Sequence, residues 1–391
     1  MSKTVIVAAA RTPIGEFGGA LKDLQANQLA SVVLQEVVKR AGINPELVEE
    51  VILGNAIQRT DEPNTARVAA LRAGFPNKTT AYTVQRQCAS GLQAVVSACQ
   101  AIAAGDAQVV IAGGTESMSS APYVLKDARW GKRLMHGQMT DAMWELLTDP
   151  DLKVMMGETA ERLADKYAIT REEQDEIAES SHQKAVLAWE TGRFSEEVVP
   201  VAVPQRKGSP VLVEQDEHPR KDISFEKLAK LTPAFRPGGT VTAGNSSSIN
   251  DGAAALVLMS AEKAVALGLT PMARVVSYAA AGVEPELMGY GPVPATQKAL
   301  QKAGLTLADI GLIEVNEAFA AQYLACEKLL GLNRDIVNVN GSGVGLGHPV
   351  GCTGARILTT LLYEMKRRDV KRGLATLCIG GGMGMSIVVE R

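Results

Sequence analysis

The sequence predicts a layered α/β protein built from two duplicated halves with a polar segment inserted between them, on three observations. Of its 391 residues, 46% are hydrophobic but only 4% aromatic, and 37 are glycine. A core of Val, Ile, Leu and Ala with many tight turns suits alternating strands and helices, and the length exceeds what one core usually holds. Second, one pattern occurs twice. Ala41-Gly42-Ile43 returns as Ala303-Gly304-Leu305, and Val51-Ile52-Leu53-Gly54-Asn55 as Leu312-Ile313-Glu314-Val315-Asn316, 262 and 261 positions later. Third, residues 119–245 are polar and charged, show few strand signals, and hold Trp130, Trp144 and Trp189. The repeat period is then the length of one half plus this insertion.

Taken in order, Met1-Ser2-Lys3 leads into an apolar strand, Thr4–Ala10, followed by a turn at Arg11–Gly15. Leu21–Arg40 reads as an amphipathic helix closed by Gly42, the usual left-handed C-terminal glycine. A strand at Val51–Asn55, a helix at Asn64–Ala73, a buried strand at Thr79–Val84 and a strand at Ala107–Ala112 ending at Gly113-Gly114 complete the first half. Within the insertion, Thr170-Arg171-Glu172-Glu173 is a capping box that opens a long helix. Apolar texture resumes at Ala253–Met259, followed by a strand at Ala273–Ala280, a helix at Thr296–Lys302 and a strand at Leu374–Cys378 before Gly380-Gly381-Gly382. The expected division is 1–118 plus 246–268 for one half, 119–245 for the insertion and 269–391 for the other half.

Net charge is −3 with Lys and Arg scattered, which gives no electrostatic case for nucleic acid. No run of about 18 apolar residues suggests a membrane span. The N-terminus lacks a signal-peptide pattern and the C-terminus lacks the peroxisomal tripeptide. Five cysteines (88, 99, 326, 352, 378) form no Cys-x-x-Cys pair. An odd count in such a chain points to a reducing cytosol, so a cytoplasmic location is expected.

The chemistry gathers at two turns. Cys88 follows the Thr79–Val84 strand and precedes a helix whose apolar positions are Leu92, Val95, Val96, Cys99, Ile102 and Ala103. A thiol at a helix start meets free N–H groups and the positive end of the helix dipole, which favours thiolate. One repeat period later, residues 341–354 hold six glycines around His348-Pro349. That density implies unusual backbone angles or close approach of a partner. The glycine spacing fits neither a dinucleotide loop nor a Walker loop. If the two turns meet at a pseudo-twofold axis, Cys88 faces His348, and Cys378 borders the same place. His136, His182 and His218 lie in the charged insertion and are expected to be solvated. Cys99 and Cys326 read as core residues, Cys352 receives no role, and no spacing supports a metal site.

Four segments resemble those of thiolases: Arg86-Gln87-Cys88-Ala89-Ser90-Gly91, Asn316-Glu317-Ala318-Phe319, Gly347-His348-Pro349-Val350-Gly351 and Cys378-Ile379-Gly380-Gly381-Gly382. Arg11–Gly15, Gly113–Met118 and Gly239–Gly244 also fit, so the resemblance covers essentially the whole chain. It implies a five-layer αβαβα sandwich of two similar halves, with an inserted loop domain that carries coenzyme A. It also implies a reaction. His348 takes the proton of Cys88, whose thiolate attacks an acyl-CoA thioester, and Cys378 exchanges a proton with the methyl of acetyl-CoA. Two oxyanion holes follow, one from His348 with a water held by Asn316, the other from the N–H groups of Cys88 and Gly380. Arg220 is expected near the adenine and phosphate end of coenzyme A, and Ala243, Ser247, Phe235, Met288 and Phe319 along its pantetheine. Acyl-CoA is the substrate, no permanently bound cofactor or metal is implied, and a homo-oligomer (dimer or dimer of dimers) is expected.

Met155-Met156-Gly157 stands where acetoacetyl-specific members show His-Met-Gly, while Arg86-Gln87-Cys88 and Gly351-Cys352-Thr353-Gly354 are more similar to degradative ketoacyl-CoA thiolases. An acetoacetyl-CoA-specific enzyme is therefore the alternative to a broader 3-ketoacyl-CoA thiolase. A ketoacyl synthase would resemble a Cys-His-His set, and a non-catalytic relative would have lost one of Cys88, His348 and Cys378.

Overall fold

Residues 4–391 are described by a computed structural model. Met1-Ser2-Lys3, read above as the approach to the first strand, lie outside the described residues. The first half contributes β1 (Thr4–Arg11), α1 (Ala26–Ala41), β2 (Glu50–Gly54), α2 (Thr65–Arg72), β3 (Thr80–Val84), α3 (Ser90–Ala104) and β4 (Val109–Ser117). The insertion carries α4 (Met156–Tyr167) and α5 (Arg171–Glu190). Then follow β5 (Asn250–Ser260), β6 (Ala273–Gly282), α6 (Pro292–Ala303), β7 (Leu312–Val315), α7 (Ala320–Leu330), α8 (Val350–Arg368), β8 (Arg372–Ile379) and β9 (Met383–Glu390).

The strand order β3-β2-β4-β5-β1 in one half is matched by β7-β8-β9-β6 in the other. In both, parallel strands (β3, β2, β4; β7, β8) give way to antiparallel ones (β5, β1; β9, β6). The place of β3 in the second half is held by Val337 alone, through a parallel bridge to Ile313. The two sheets join at one corner, where Val5 pairs with Arg274 and Ile6 with Ala273. Away from the edge strand β3, each sheet is covered on both faces, as mixed and parallel α/β sheets require.

Five layers result. On the outer face of the first sheet, Leu29, Val33 and Val37 of α1 pack on Val51, Leu53, Val109 and Ile111. Between the sheets lie α3 and α8, whose Leu92, Val95, Leu358 and Leu361 meet Ile52, Val110, Leu377 and Ile387. Beyond the second sheet, α6 and α7 are joined by α4 of the insertion, through Leu163, Leu300 and Leu324. The insertion is tied to the scaffold by polar contacts as well. Arg11, fully buried, pairs with Glu197 at 2.5 Å and Asp216 at 2.7 Å. No helix among the described residues is long and apolar enough to cross a membrane.

Several expectations need correcting. The helix expected from Leu21 starts at Ala26, because Gln25 and Gln28 cap it reciprocally, and Leu21 and Leu24 are buried in the preceding turns. β3, expected to be buried, is an edge strand with Thr80 and Tyr82 exposed. β4 does not end at Gly113 but runs to Ser117. Its glycines serve close packing: a Cβ on Gly113 would lie 2.1 Å from Ala254 O, and one on Gly114 2.1 Å from Gly351 O. β9 follows the Gly380–Gly382 turn directly and was not anticipated. Nor was α4, although Ala160, Leu163, Ala164 and Tyr167 recur at helical spacing.

Candidate active site

The turn between β3 and α3 carries Cys88. Gln87 there has φ 46°, and Ser90 closes the turn, its hydroxyl accepting from Arg86 N (2.8 Å) and donating to Gln87 O (2.7 Å). The end of β2 lets this turn pack down, since a Cβ on Gly54 would lie 2.2 Å from Ser90 C. The start of α8 also approaches closely, with a Cβ on Gly91 placed 2.9 Å from Gly351 O. The two equivalent turns therefore meet, as the repeat predicted.

Glu116 holds them together. Its buried carboxylate accepts from Asn55 Nδ2 (2.6 Å), Ala56 N (2.9 Å), Ile57 N (3.0 Å) and Gly351 N (2.7 Å). Burial pushes this carboxyl up to about 7 against the three backbone N–H hydrogen bonds from Ile57, Ala56 and Gly351. Sequence reasoning gave Glu116 no role.

Cys88 is half-buried, packing with Ile57, Met118 and Val350 on one side and the inter-sheet core on the other. Burial pushes its thiol up to about 11, while the N–H groups of Gly380 and of Cys88 itself pull it down. The thiolate expected at the helix start is thus not the resting form, because loss of hydration outweighs the backbone N–H groups. Cys378, at the end of β8, is fully buried on the outer face of the second sheet. Burial first, and the neighbouring Cys88 second, raise its thiol well above the ordinary value. Gly380 lies in the turn that follows, where its N–H is near enough to the Cys88 thiol to favour the thiolate.

His348 is buried and held at three points. Its N–H donates to Asn250 Oδ1 at 2.7 Å, Nδ1 lies 2.6 Å from Thr353 Oγ1, and Nε2 lies 3.5 Å from Asn316 Nδ2. Burial, and then the Arg356 guanidinium, lower its pKa to about 3, so the imidazole is neutral and able to accept a proton. Asn316 Oδ1 is buried without a hydrogen-bond partner. Such an atom in a polar site is a place for a water proton.

The residues expected to contact coenzyme A form two neighbouring groups. Arg220 and Ala243 line a cavity of about 250 Å3 together with Lys227, Leu231, His182 and His218. Phe235 meets Phe319 edge-on at 5.8 Å, and both share an apolar cluster with Met288, Met156 and Cys378. Ser247 N donates to Ala318 O at 2.9 Å, beside Phe319. His182 and His218 are not solvated as expected but buried, with ring centroids 5.1 Å apart. His182 accepts from Arg220 N (3.3 Å), and His218 Nδ1 lies 2.8 Å from Glu16 Oε1. His136 is exposed. Cys99 and Cys326 are core residues. A second cleft, of about 470 Å3, runs past Arg86, Gln87, Met156, Gly380 and Met383.

A half-buried thiol under converging N–H groups, a neutral histidine and a second, buried thiol suit acyl transfer through a thioester. Comparison with known proteins decides the family. Residues 4–262 match the thiolase N-terminal domain and residues 269–391 the thiolase C-terminal domain. The chain belongs to the thiolase family. It is similar to an acetyl-CoA acetyltransferase of Syntrophomonas wolfei, 53% identical over 99% of each chain. Its structure is similar to the Bacillus anthracis acetyl-CoA acetyltransferase, with TM-score 0.99, 58% identity, and 100% of this chain and 99% of that one covered. Human mitochondrial 3-ketoacyl-CoA thiolase in complex with CoA gives TM-score 0.96 at 43% identity, covering 99% of this chain and 97% of that one. This thiolase has the thiolase fold and is an acyltransferase enzyme.

Proposed function

We propose that the enzyme catalyses reversible Claisen condensation of acetyl-CoA with acyl-CoA, and thiolysis of 3-ketoacyl-CoA, through an acyl group carried on Cys88. The observation that carries this reading is the sulfur of Cys88, approached by the N–H groups of Gly380 and Cys88 and by the thiol of Cys378. His348 Nε2 takes the Cys88 proton as the sulfur attacks the thioester carbonyl, and coenzyme A thiol leaves. Cys378, having given its proton to the departing coenzyme A thiolate, removes a proton from the acetyl-CoA methyl. The carbanion attacks the acyl-enzyme and expels Cys88 as a thiolate that takes back the proton held on His348. The N–H pair serves one oxyanion and His348 with an Asn316-bound water the other. Arg220, Ala243, Ser247, Phe235, Met288 and Phe319 hold coenzyme A, and residues 119–245 are its binding insertion between the halves 1–118 plus 246–268 and 269–391.

Mass spectrometry after mixing with acetyl-CoA tests the scheme. Cys88→Ala abolishes acylation and turnover, whereas Cys378→Ala still forms the acyl-enzyme but makes no carbon–carbon bond. Turnover by Cys88→Ala would remove the nucleophile assignment, and condensation by Cys378→Ala the two-cysteine scheme.

An acetoacetyl-CoA-specific reading is favoured by relatives described as acetyl-CoA acetyltransferases. The broader reading, serving fatty-acid degradation, is supported by the 470 Å3 cleft beside Gly380, large enough for an acyl tail. Thiolysis rates along a ladder of 3-ketoacyl-CoA chain lengths separate the two. We place the enzyme in the cytoplasm as a homotetramer. The open edge of β3, with Tyr82 exposed, supports one self-pairing surface. The apolar hairpin around Tyr123, Trp130 and Leu134 supports a second.

A further inference from the structure

We infer that Thr353 is a positioning residue: its hydroxyl oxygen accepts the Nδ1–H of His348, orients the ring and stabilises the imidazolium formed when Nε2 takes the Cys88 proton. The inference rests on the proposed role of His348 as that base. Thr353 lies in the first turn of α8 and is fully buried, with Oγ1 2.6 Å from His348 Nδ1 and 2.8 Å from Pro349 O. A hydroxyl has one proton and two lone pairs, and a carbonyl oxygen can only accept. With the hydroxyl proton directed at Pro349 O, the oxygen is free to accept from Nδ1–H.

Proton transfer makes that arrangement matter. The proton leaves Cys88 Sγ, the S–H bond breaks, and an N–H bond forms at Nε2, giving thiolate and imidazolium. Both imidazolium nitrogens are donors, so each needs an acceptor in a site buried away from bulk solvent. Nε2–H has the thiolate and then the oxyanion, while Nδ1–H has Thr353 Oγ1. The ring projects from a fixed main chain, because Asn250 holds the His348 backbone N–H at 2.7 Å and itself donates to Gly15 O at 3.0 Å. Gly347, at φ 102°, allows this approach, since a Cβ there would lie 2.6 Å from the Asn250 side chain. Arg356, buried further along α8, disfavours a charged His348. Thr353 therefore opposes the two influences, burial and Arg356, that hold the histidine neutral.

Single-turnover acylation of the full-length enzyme by acetyl-CoA, followed by mass spectrometry, tests this. Thr353→Val should slow acylation about 10- to 100-fold, the loss expected for one hydrogen bond to a charged group, with unchanged half-saturation by acetyl-CoA. Thr353→Ser, which keeps the hydroxyl and drops the methyl, should recover to within a few-fold of wild type. Comparison of Thr353→Ser with Thr353→Ala isolates the same hydroxyl if the valine variant does not fold. Wild-type rates in Thr353→Val, or equal slowing by Ser and Ala, would overturn the inference and leave the Cys88 acyl-enzyme intact. Failure of wild type to acylate at Cys88 overturns both.

Discussion

Asn55 and Asn316 follow equivalent strands, β2 and β7, in the two halves of the molecule, and their surroundings differ. Asn55 gives its amide hydrogens to Thr115 O and Glu116 and accepts from Thr65 at 3.1 Å. Every polar atom of its side chain is engaged in holding the first half together. Asn316 points Nδ2 at His348 and leaves Oδ1 buried and unpartnered. A second pair shows the same division. β4 continues through its glycines to Ser117, whereas β8 stops at Ile379 and turns through Gly381 and Gly382, at φ 82° and 83°, exposing the Gly380 N–H to Cys88. The duplication thus supplies two copies of one scaffold, and the chemistry lies where the copies depart from each other. In the proposed scheme one gives the nucleophile, the other the base and the second thiol, and the unsatisfied amide belongs to that second half.

The sharpest way to break that comparison is to truncate both asparagines. Asn316→Ala should lower kcat by about 10²- to 10³-fold, the usual loss for one oxyanion-stabilising group, with little change in the urea midpoint. Asn55→Ala should do the reverse, costing about 1–3 kcal/mol of stability by stranding buried partners while turnover per folded molecule stays near wild type. Equal loss of turnover in the two variants would show that the halves are not divided in this way. A smaller effect tests Cys88 against His348. With the thiol pushed up to about 11 and the imidazole held down to about 3, the resting pair is neutral. Alkylation of Cys88 by iodoacetamide should then rise about tenfold per pH unit between about pH 7 and 10, following the thiolate fraction. A rate already level near neutral pH would mean a preformed thiolate–imidazolium pair.

The repeat made Cys88 and His348 legible, because two turns one period apart must meet if the halves pack about a twofold axis. Layer order was legible for the same reason. What the sequence hid were contacts between residues far apart in the chain with no pattern linking them. Glu116 reaches Gly351 and Asn250 reaches His348 across long separations, and neither residue differs in type from an ordinary surface residue. Thr353 is close to His348 in sequence, yet only the helical turn brings its hydroxyl to Nδ1. Gly113 was read as the end of its strand because a glycine that admits a neighbouring backbone is the same letter as one that bends its own. The Cys88 thiolate was misjudged because helix position can be read from sequence and burial cannot.

His182 extends the comparison to the insertion, since it too is a histidine made neutral by burial. Sequence reasoning left it in solvent because its neighbours in the chain are charged. Packing removes it from water, and burial first, then His218 and Arg220, lower its pKa to about 3 from an ordinary 6.5. In the unfolded chain the same ring takes up a proton below about pH 6.5. Between these values the unfolded state binds more protons than the native state, so stability must fall as pH falls from about 6.5 towards 3. His182→Phe cannot titrate and should lose this share of the slope. The difference in unfolding free energy between wild type and the variant should shrink on acidification by up to about 1.4 kcal/mol per pH unit. Urea unfolding at several pH values across this window reads it directly. If both proteins lose stability in parallel, His182 is not held neutral by the fold. The insertion would then be packed more loosely around the cavity beside Arg220 than the contact of His182 with Arg220 N implies.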